Sequence, residues 1–575
     1  MTFEARQQTG QAVPRAATNE RASQRARSLL ALANEQFDVL VVGGGATGVG
    51  IARDAVTRGL RVALVEAQDF ASETSSHSSK LIHGGLRYLQ YGDLRLVFEA
   101  LTERRRLMRT APHLCRPVEF IFPTYRSLAP RLRTLGAGIA LYNALALWRA
   151  PVGGQRLNAR EVLERVPGLY DNDLEGAQAY VDCQTNDARL VLEAALDASS
   201  AGALLLTRIR AVRLARNRAG TRVRGACVED ALTGAQFDVR ATVVVNATGP
   251  FSDTFDRGRK NLRPTLGVHA VFRETRLPHG NRAIVLRSPR DGRLVFLLPA
   301  GQRTIVGTTD TDWSPTGSPV GSPPRLGDAI VAQASDVDYL LEVANHAFPS
   351  LALNAGDVIS AYAGLRPLVA APAHGVSETS REHEILVERD GLVTIVGGKL
   401  TTFRRMAEEV TDVVCDQLRM LGFESAIAPC STAIRPLWGA VDSQAAAQAS
   451  LGNVELAADV EEHLRATYGR RAGAVVTAMK ESVGGVSLSE RLYPDLPYIW
   501  AEILYAARTE EATDLEDLLR RRTCVFRDAA DQGVGVAEQA SRIIEIGLGW
   551  SPQQSTDAIE RYRVTVARSR AWQAR

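Results

Sequence analysis

Between Phe37 and Glu66 the chain runs from an unbroken apolar stretch through a glycine-rich break into an amphipathic stretch and a second apolar run. Val39 to Val42 predicts a buried strand, the residues after Gly48 a helix, and Val62 to Val65 a second strand ending on Glu66. A later strand-like run, TVVVNATGP, ends in Ala247-Thr248-Gly249, and another leads into Gly397-Gly398-Lys399-Leu400-Thr401-Thr402 and a helix. Between these, DGRLVFLLPA and QRTIVGTTD alternate apolar and polar positions in the manner of antiparallel strands. Helical periodicity takes over toward the C-terminus, from about residue 455, where Gly549-Trp550-Ser551-Pro552 reads as a helix stop, an N-cap and an N1 proline.

Two segments stand apart from this pattern. TLGAGIALYNALALW, between Arg133 and Arg149, falls short of the roughly 20 residues of a spanning helix and is expected to be a buried helix rather than one lying on a membrane. The stretch up to Glu35 is rich in Arg, Ala, Gln and Thr, without a continuous apolar core, and is expected to be a loose leader.

Composition narrows the class. A chain of 575 residues, 45% of them hydrophobic, is long enough for more than one domain, and a net charge of +3 does not point to nucleic acid. Cys115, Cys183, Cys227, Cys415, Cys430 and Cys524 form neither a CxxC nor a metal-ligand spacing, so a reducing cytosol and no structural metal are expected.

The first break is Gly43-x-Gly45-x-x-Gly48, flanked by both strands of a βαβ unit. Gly43 permits the tight turn, Gly45 lets a pyrophosphate approach the backbone, and Gly48 lets helix and strand pack closely. Glu66, eighteen residues beyond Gly48, is placed to accept hydrogen bonds from an adenosine ribose and argues against a 2′-phosphate. No second GxGxxG occurs, so one bound dinucleotide is expected. SSKLIHGGLRYL, residues 78–89, is ambiguous alone, since Gly84-Gly85 makes a turn and its apolar residues suit a core.

Taken together, GGGATGVGIARDAVTRGLRVALVE, SSKLIHGGLRYL, YVDCQTNDARLV, VVNATGP, GTTDTDW, YAGLRPL, SREH and GGKLTTFRRMAEE resemble, in order, the FAD-dependent glycerol-3-phosphate dehydrogenases of the D-amino-acid-oxidase-like group. HLRATYG and LEDLLRRRT resemble that family's C-terminal domain. The resemblance implies an α/β fold in which a Rossmann-like FAD-binding domain is interleaved with a mostly antiparallel β substrate domain over residues 36–430, after a leader of residues 1–35 and before an α-helical domain of residues 431–575. It implies oxidation of glycerol 3-phosphate through non-covalently bound FAD, with a quinone as acceptor. Oxygen as acceptor, or a flavin-binding protein without turnover, are the alternatives. A cytoplasmic protein touching the inner face of a membrane is expected, its basic C-terminal RYRVTVARSRAWQAR being the suggested contact, and a homodimer is left open.

For the site, the resemblance places Arg87, Tyr88, Thr308, Arg366, Arg381 and Lys399 around substrate and flavin. Cofactor contacts fall on Gly43, Gly45, Gly48, Glu66, Ser75, Ser76, Ser79, Lys80, Leu81, Ala247, Thr248, Gly249, Gly398, Lys399, Leu400 and Thr401. His269 is the first choice of general base, with His83 second, because an imidazole accepts protons near neutral pH. His77 is expected to face solvent. Two positions depart from the family: Leu266 stands where a lysine of KGxH is common, bearing on the charge around His269, and Asn186 stands where aspartate is usual, expected to touch packing or a surface turn.

Overall fold

The computed structural model describes residues 16–86, 93–128, 130–146, 154–255, 262–315, 317–318, 322, 324–369, 383–441, 451–452, 454–483 and 485–574. Gln36–Val42 forms the expected first strand, buried from Phe37 onward because helices and a hairpin cover its two faces. It pairs in parallel with Val62–Val65 on one side and Gln236–Asn246 on the other. Val393–Gly397 and Leu204–Leu206 extend this sheet in parallel, and His383–Val387 closes one edge antiparallel. The helices Ala46–Thr57, Asp187–Ser200 and Phe403–Met420 share one core against it.

The second sheet is mostly antiparallel, as expected, and contains ten strands. Leu294–Ala300 and Arg303–Gly307 are the hairpin foreseen in the alternating stretches. The long strand Leu262–Arg273 lies between Arg303–Gly307 and Val358–Val369. Among the described residues a single parallel pairing, Ala283–Arg287 with Arg116–Tyr125, interrupts the antiparallel order. The chain enters this sheet after Val65, returns to the first for residues 204–246, and crosses twice more before Val393–Gly397, so the two parts are interleaved.

Beyond residue 450 a separate hydrophobic core, from Leu451 to Val566, supports the helical domain. Its predicted punctuation is present: Gly549 ends one helix at φ +71°, and Ser551 and Gln554 cap Pro552–Ser569 reciprocally. Buried charges join this domain to the first sheet. Arg522 donates to both oxygens of Asp69 at 2.7 and 2.8 Å, Arg521 Nε donates to Asp69 at 2.6 Å, and Arg189 pairs with Glu510 at 2.7 Å.

Two expectations are corrected. Residues Ala16–Asn34 are a helix, not a loose segment, because Leu29 and Leu32 are spaced to face the core and pack beside Leu40, Val42 and Val244. The apolar stretch after Arg133 is not a buried helix either. Leu132–Leu145 buries Leu132, Leu135, Ile139 and Tyr142 along one stripe and leaves Leu141 exposed on the other face.

Asp69 holds two arginines that are nearly inaccessible to water. Asp69→Asn should therefore lower unfolding free energy by about 3–5 kcal/mol, whereas Ser551→Ala, which removes only an exposed cap, should cost about 1 kcal/mol. Chemical denaturation of both variants checks the ratio; equal losses would mean that the buried charges do not clasp the domains.

Candidate functional site

The turn after the first strand is built on steric necessity. Gly43 has φ +110°, and a Cβ there would lie 2.6 Å from the Ala247 carbonyl oxygen. A Cβ on Gly48 would lie 2.0 Å from the Gly43 carbonyl oxygen, so the helix Ala46–Thr57 rests directly on the turn. At its N-terminus Ala46 N donates to Ser75 Oγ at 3.0 Å, a partner supplied from a distant segment. Glu66 accepts from Gly44 N at 2.6 Å and Gln68 N at 2.7 Å, and burial raises the pKa of its carboxyl group.

These groups open onto a cavity of about 550 Å³. Gly43, Gly45, Glu66 and Ser75 line one part, Ala247, Thr248 and Gly249 another, and Gly398, Lys399 and Leu400 a third. The three sequence motifs therefore converge. The close backbone approach at Gly43 and Gly45, the helix N-terminus and the carboxylate of Glu66 suit a dinucleotide, with pyrophosphate at the helix start and ribose at Glu66. The glycines at 397 and 398, both at positive φ, and Lys399 suit the ring end.

Not every expected cofactor residue lines this space: Gly48, Ser76, Ser79, Lys80, Leu81 and Thr401 are not on its wall. Ser76 Oγ donates to the Glu73 carbonyl at 3.3 Å, and Thr401 Oγ1 accepts from His83 N at 3.2 Å. Leu81 is core, and Lys80 Nζ pairs with Asp187 at 2.5 Å instead of facing a ligand. His77 is not solvent-facing. It is 9% exposed, with Nδ1 2.7 Å from the Glu73 carbonyl and Nε2 2.6 Å from an Arg520 guanidinium nitrogen of the helical domain. Burial first, and then Arg520, pull its pKa well below the ordinary histidine value.

A second cluster forms on the antiparallel sheet. His269 on Leu262–Arg273 stands opposite Gly307 on one neighbouring strand and Tyr362 on the other. Its ring stacks on Tyr362, centroids 4.8 Å apart and 11° between planes, while a Cβ on Gly307 would come within 2.2 Å of Cδ2. Nε2 is hydrogen-bonded to Ser79 Oγ at 2.9 Å. Burial lowers the His269 pKa well below 6.5, helped by the charges of Arg366 and Lys80, so the imidazole is neutral.

Arg366 crosses the same strand where Gly267 leaves room; a Cβ on Gly267 would lie 2.3 Å from its Nη2. Nη2 donates to Thr308 Oγ1 at 2.7 Å and to the Thr309 carbonyl at 2.9 Å, and Nη1 pairs with Asp310 at 3.0 Å. Pro367, the next residue, lines the dinucleotide cavity, as does Ser78 beside Ser79, so the two clusters share a wall. Sequence reasoning missed Gly267, Gly307, Asp310 and Tyr362. The glycine two residues before His269 and the aspartate two after Thr308 were visible, but their partners on other strands were not.

Leu266 is buried and paired opposite Thr311 and Leu365; the positive charges acting on His269 come from Arg366 and Lys80. Asn186 caps the helix Asp187–Ser200 by accepting from Arg189 N at 3.2 Å. His83 has its ring centroid 6.4 Å from that of Phe296. Arg87, Tyr88 and Arg381 lie outside the described residues.

Comparison with known proteins agrees with the fold. Residues 38–412 match the FAD dependent oxidoreductase family, and residues 430–555 match the C-terminal domain of alpha-glycerophosphate oxidase. The chain is 37% identical over 552 residues to the probable mitochondrial glycerol-3-phosphate dehydrogenase of Caenorhabditis elegans, spanning 92% of this chain and 73% of that one. It is 36% identical over 574 residues to the Homo sapiens mitochondrial glycerol-3-phosphate dehydrogenase, spanning 95% of this chain and 75% of that one. Among solved structures, the glycerol-3-phosphate dehydrogenase of Bacillus halodurans complexed with FAD superposes with a TM-score of 0.75 at 29% identity, over 96% of this chain and 98% of that one.

The cradle depends on Gly48 having no side chain, and among the described residues no His, Cys or Tyr that could tether a flavin lines it. The purified protein should release intact FAD on denaturation, and Gly48→Ala should abolish flavin binding. Absorbance of the supernatant and pellet after acid precipitation reads both; flavin retained on the pellet, or full occupancy in the variant, would contradict them.

Proposed function

Because the chain belongs to the FAD-dependent glycerol-3-phosphate dehydrogenase family, we propose that it oxidises sn-glycerol 3-phosphate to dihydroxyacetone phosphate and passes the electrons to a quinone. Bound FAD supplies the hydride-accepting ring. The observation that carries this reading is the meeting, on two paired strands, of a neutral buried imidazole at His269 with the Arg366 fork held over Gly267.

Each residue then has a task set by the substrate's chemistry. The guanidinium of Arg366, held by Thr308 and Asp310, sets a fixed positive charge beside His269 for a phosphate dianion to pair with. His269, neutral at working pH, is ready to take the hydroxyl proton. Lys399 on the cavity wall offsets negative charge that develops at the ring end. Arg87, Tyr88 and Arg381 complete the clamp by family resemblance. The quinone is favoured over oxygen because the relatives 36–37% identical to this chain are named dehydrogenases.

A quinone acceptor calls for contact with a membrane. No helix among the described residues is long and apolar enough to cross one. The C-terminal arginines are a weaker candidate for that contact than the sequence implied, since Arg561 and Arg563 pair with Asp514 and Glu538, Arg570 bonds Gln532, and Trp572 is buried. Better placed are the helices Leu94–Thr110 and Leu132–Leu145, packed together through Val97, Leu101 and Tyr142, which expose Leu94, Phe98 and Leu141 and also carry the exposed Arg95 and Arg133. Peripheral binding there would place the protein on the inner face of the cell membrane. Co-sedimentation with anionic vesicles should fall in Phe98→Glu and Leu141→Glu; protein wholly in the supernatant at low salt would oppose membrane contact.

Glycerol 3-phosphate added anaerobically should bleach the flavin, and a quinone analogue should restore its colour faster than oxygen does. Arg366→Ala removes one or two charge-assisted hydrogen bonds, each worth about 1.5–3 kcal/mol, so kcat/KM should fall on the order of 10- to 1,000-fold with FAD content unchanged. Arg366→Lys should recover only part of the loss. An unbleached flavin refutes the substrate, and an unchanged kcat/KM refutes the clamp.

A further inference from the structure

We propose that Ser79 is a catalytic residue whose hydroxyl stands between the substrate and His269 and relays the alcohol proton to the imidazole. The inference rests on the reading of the protein as a glycerol-3-phosphate dehydrogenase and alters how its base is reached.

The geometry leaves His269 little direct exposure. It is 2% exposed. Tyr362 stacks against one face, and the Cα of Gly307 lies so close to the Cδ2 edge that even a methyl group could not stand there. Nδ1 is enclosed, with no hydrogen-bond partner among the described residues. What remains is the Nε2 edge, and Ser79 Oγ occupies it at 2.9 Å. Ser79 itself is only partly buried, and its neighbour Ser78 lines the dinucleotide cavity. The serine therefore stands at the one open edge of the imidazole, a residue away from the wall of that cavity.

Both partners are held in register by one side chain. Tyr362 stacks on the imidazole and donates its hydroxyl to the Ser78 carbonyl at 3.2 Å, while Asp187 accepts from Ser78 N and Oγ and from Lys80 Nζ, on either side of Ser79. A side chain meant only to fill space needs no such support.

In the step, the substrate O–H bond breaks as its proton joins Ser79 Oγ. The serine's own proton passes along the hydrogen bond to Nε2, and the carbinol C–H bond gives up its electron pair as hydride to the two-electron acceptor of this family. The serine ends unchanged and the imidazole ends as imidazolium, which requires the neutral ring to carry its proton on Nδ1. The charged groups acting on the ring are Arg366, paired with Asp310, and Lys80, paired with Asp187. A phosphate dianion on Arg366 offsets the cation that opposes imidazolium, so the ring gains basicity only when substrate is in place.

The test uses the FAD-loaded full chain. Ser79→Ala should keep its flavin, lose on the order of 100-fold in kcat and change KM by no more than about threefold, the pattern of a lost proton-transfer group. Ser79→Thr, which keeps the hydroxyl, should recover most of the rate. In Ser79→Ala/His269→Gln the loss should match that of His269→Gln alone, because the two act in series. The ¹⁵N resonance of the His269 Nε2 should shift between wild type and Ser79→Ala without any turnover. A kcat for Ser79→Ala within about threefold of wild type, or losses that multiply in the double variant, would overturn the relay. If Ser79→Ala does not fold, the ratio of Ser79→Thr to Ser79→Cys decides, since a thiol is a weaker donor and acceptor. Equal rates in those two overturn it. Failure of glycerol 3-phosphate to bleach the wild-type flavin would instead refute the substrate assignment.

Discussion

The buried ion pair between Lys80 and Asp187 is the contact on which the site depends. Its side chains are 10% and 0% exposed, so both charges have left water at a cost of several kcal/mol each. Such a pair persists only when its other valences are filled. Asp187 also accepts from Ser78 and from Ala188 N, and Lys80 Nζ donates to the Ser76 carbonyl and lies 5.5 Å from the centroid of the Tyr362 ring. Lys80 is thereby held at φ +57°, a conformation a lysine seldom adopts. The pair pins the turn of residues 74–80 to the helix Asp187–Ser200, and from that turn Ser75 reaches the nucleotide helix while Ser79 reaches His269.

Around this anchor the site is shaped as much by missing side chains as by those present. Gly43 and Gly48 let the backbone close on itself for a dinucleotide, whereas Gly267 and Gly307 open the neighbouring sheet for a guanidinium and an imidazole. The first pair adjoins one sheet and the second lies in the other, yet Arg366 and Pro367 carry one strand from the second environment to the first. Cofactor and substrate groups are thus set by neighbouring residues on rigid elements, which limits their relative motion more than loops would.

The helical domain takes part in the same architecture. Arg521 and Arg522 close on Asp69, and Arg520 meets His77, only a few residues from the serines of the turn. Burying those arginines makes the domain a buttress for the cofactor side of the molecule rather than an appendage.

Local signals in the sequence determined the dinucleotide turn, its flanking strands, the antiparallel hairpin and the Ser551 cap, because each depends on residues within a few positions of one another. The geometry of Gly43-x-Gly45-x-x-Gly48 is of that kind: steric freedom is needed at fixed spacing on one turn. His77, Lys80 and Ser79 were legible as polar residues beside glycines, but their roles were not, since their partners Arg520, Asp187 and His269 lie 443, 107 and 190 positions away. The helix Ala16–Asn34 was hidden for the same reason, its few apolar residues gaining meaning only against Leu40 and Val244. Which charge is buried, which histidine stays neutral and which glycine makes room are decided by the strands that tertiary pairing brings alongside, and burial, unlike backbone propensity, is a property no single segment of the chain possesses.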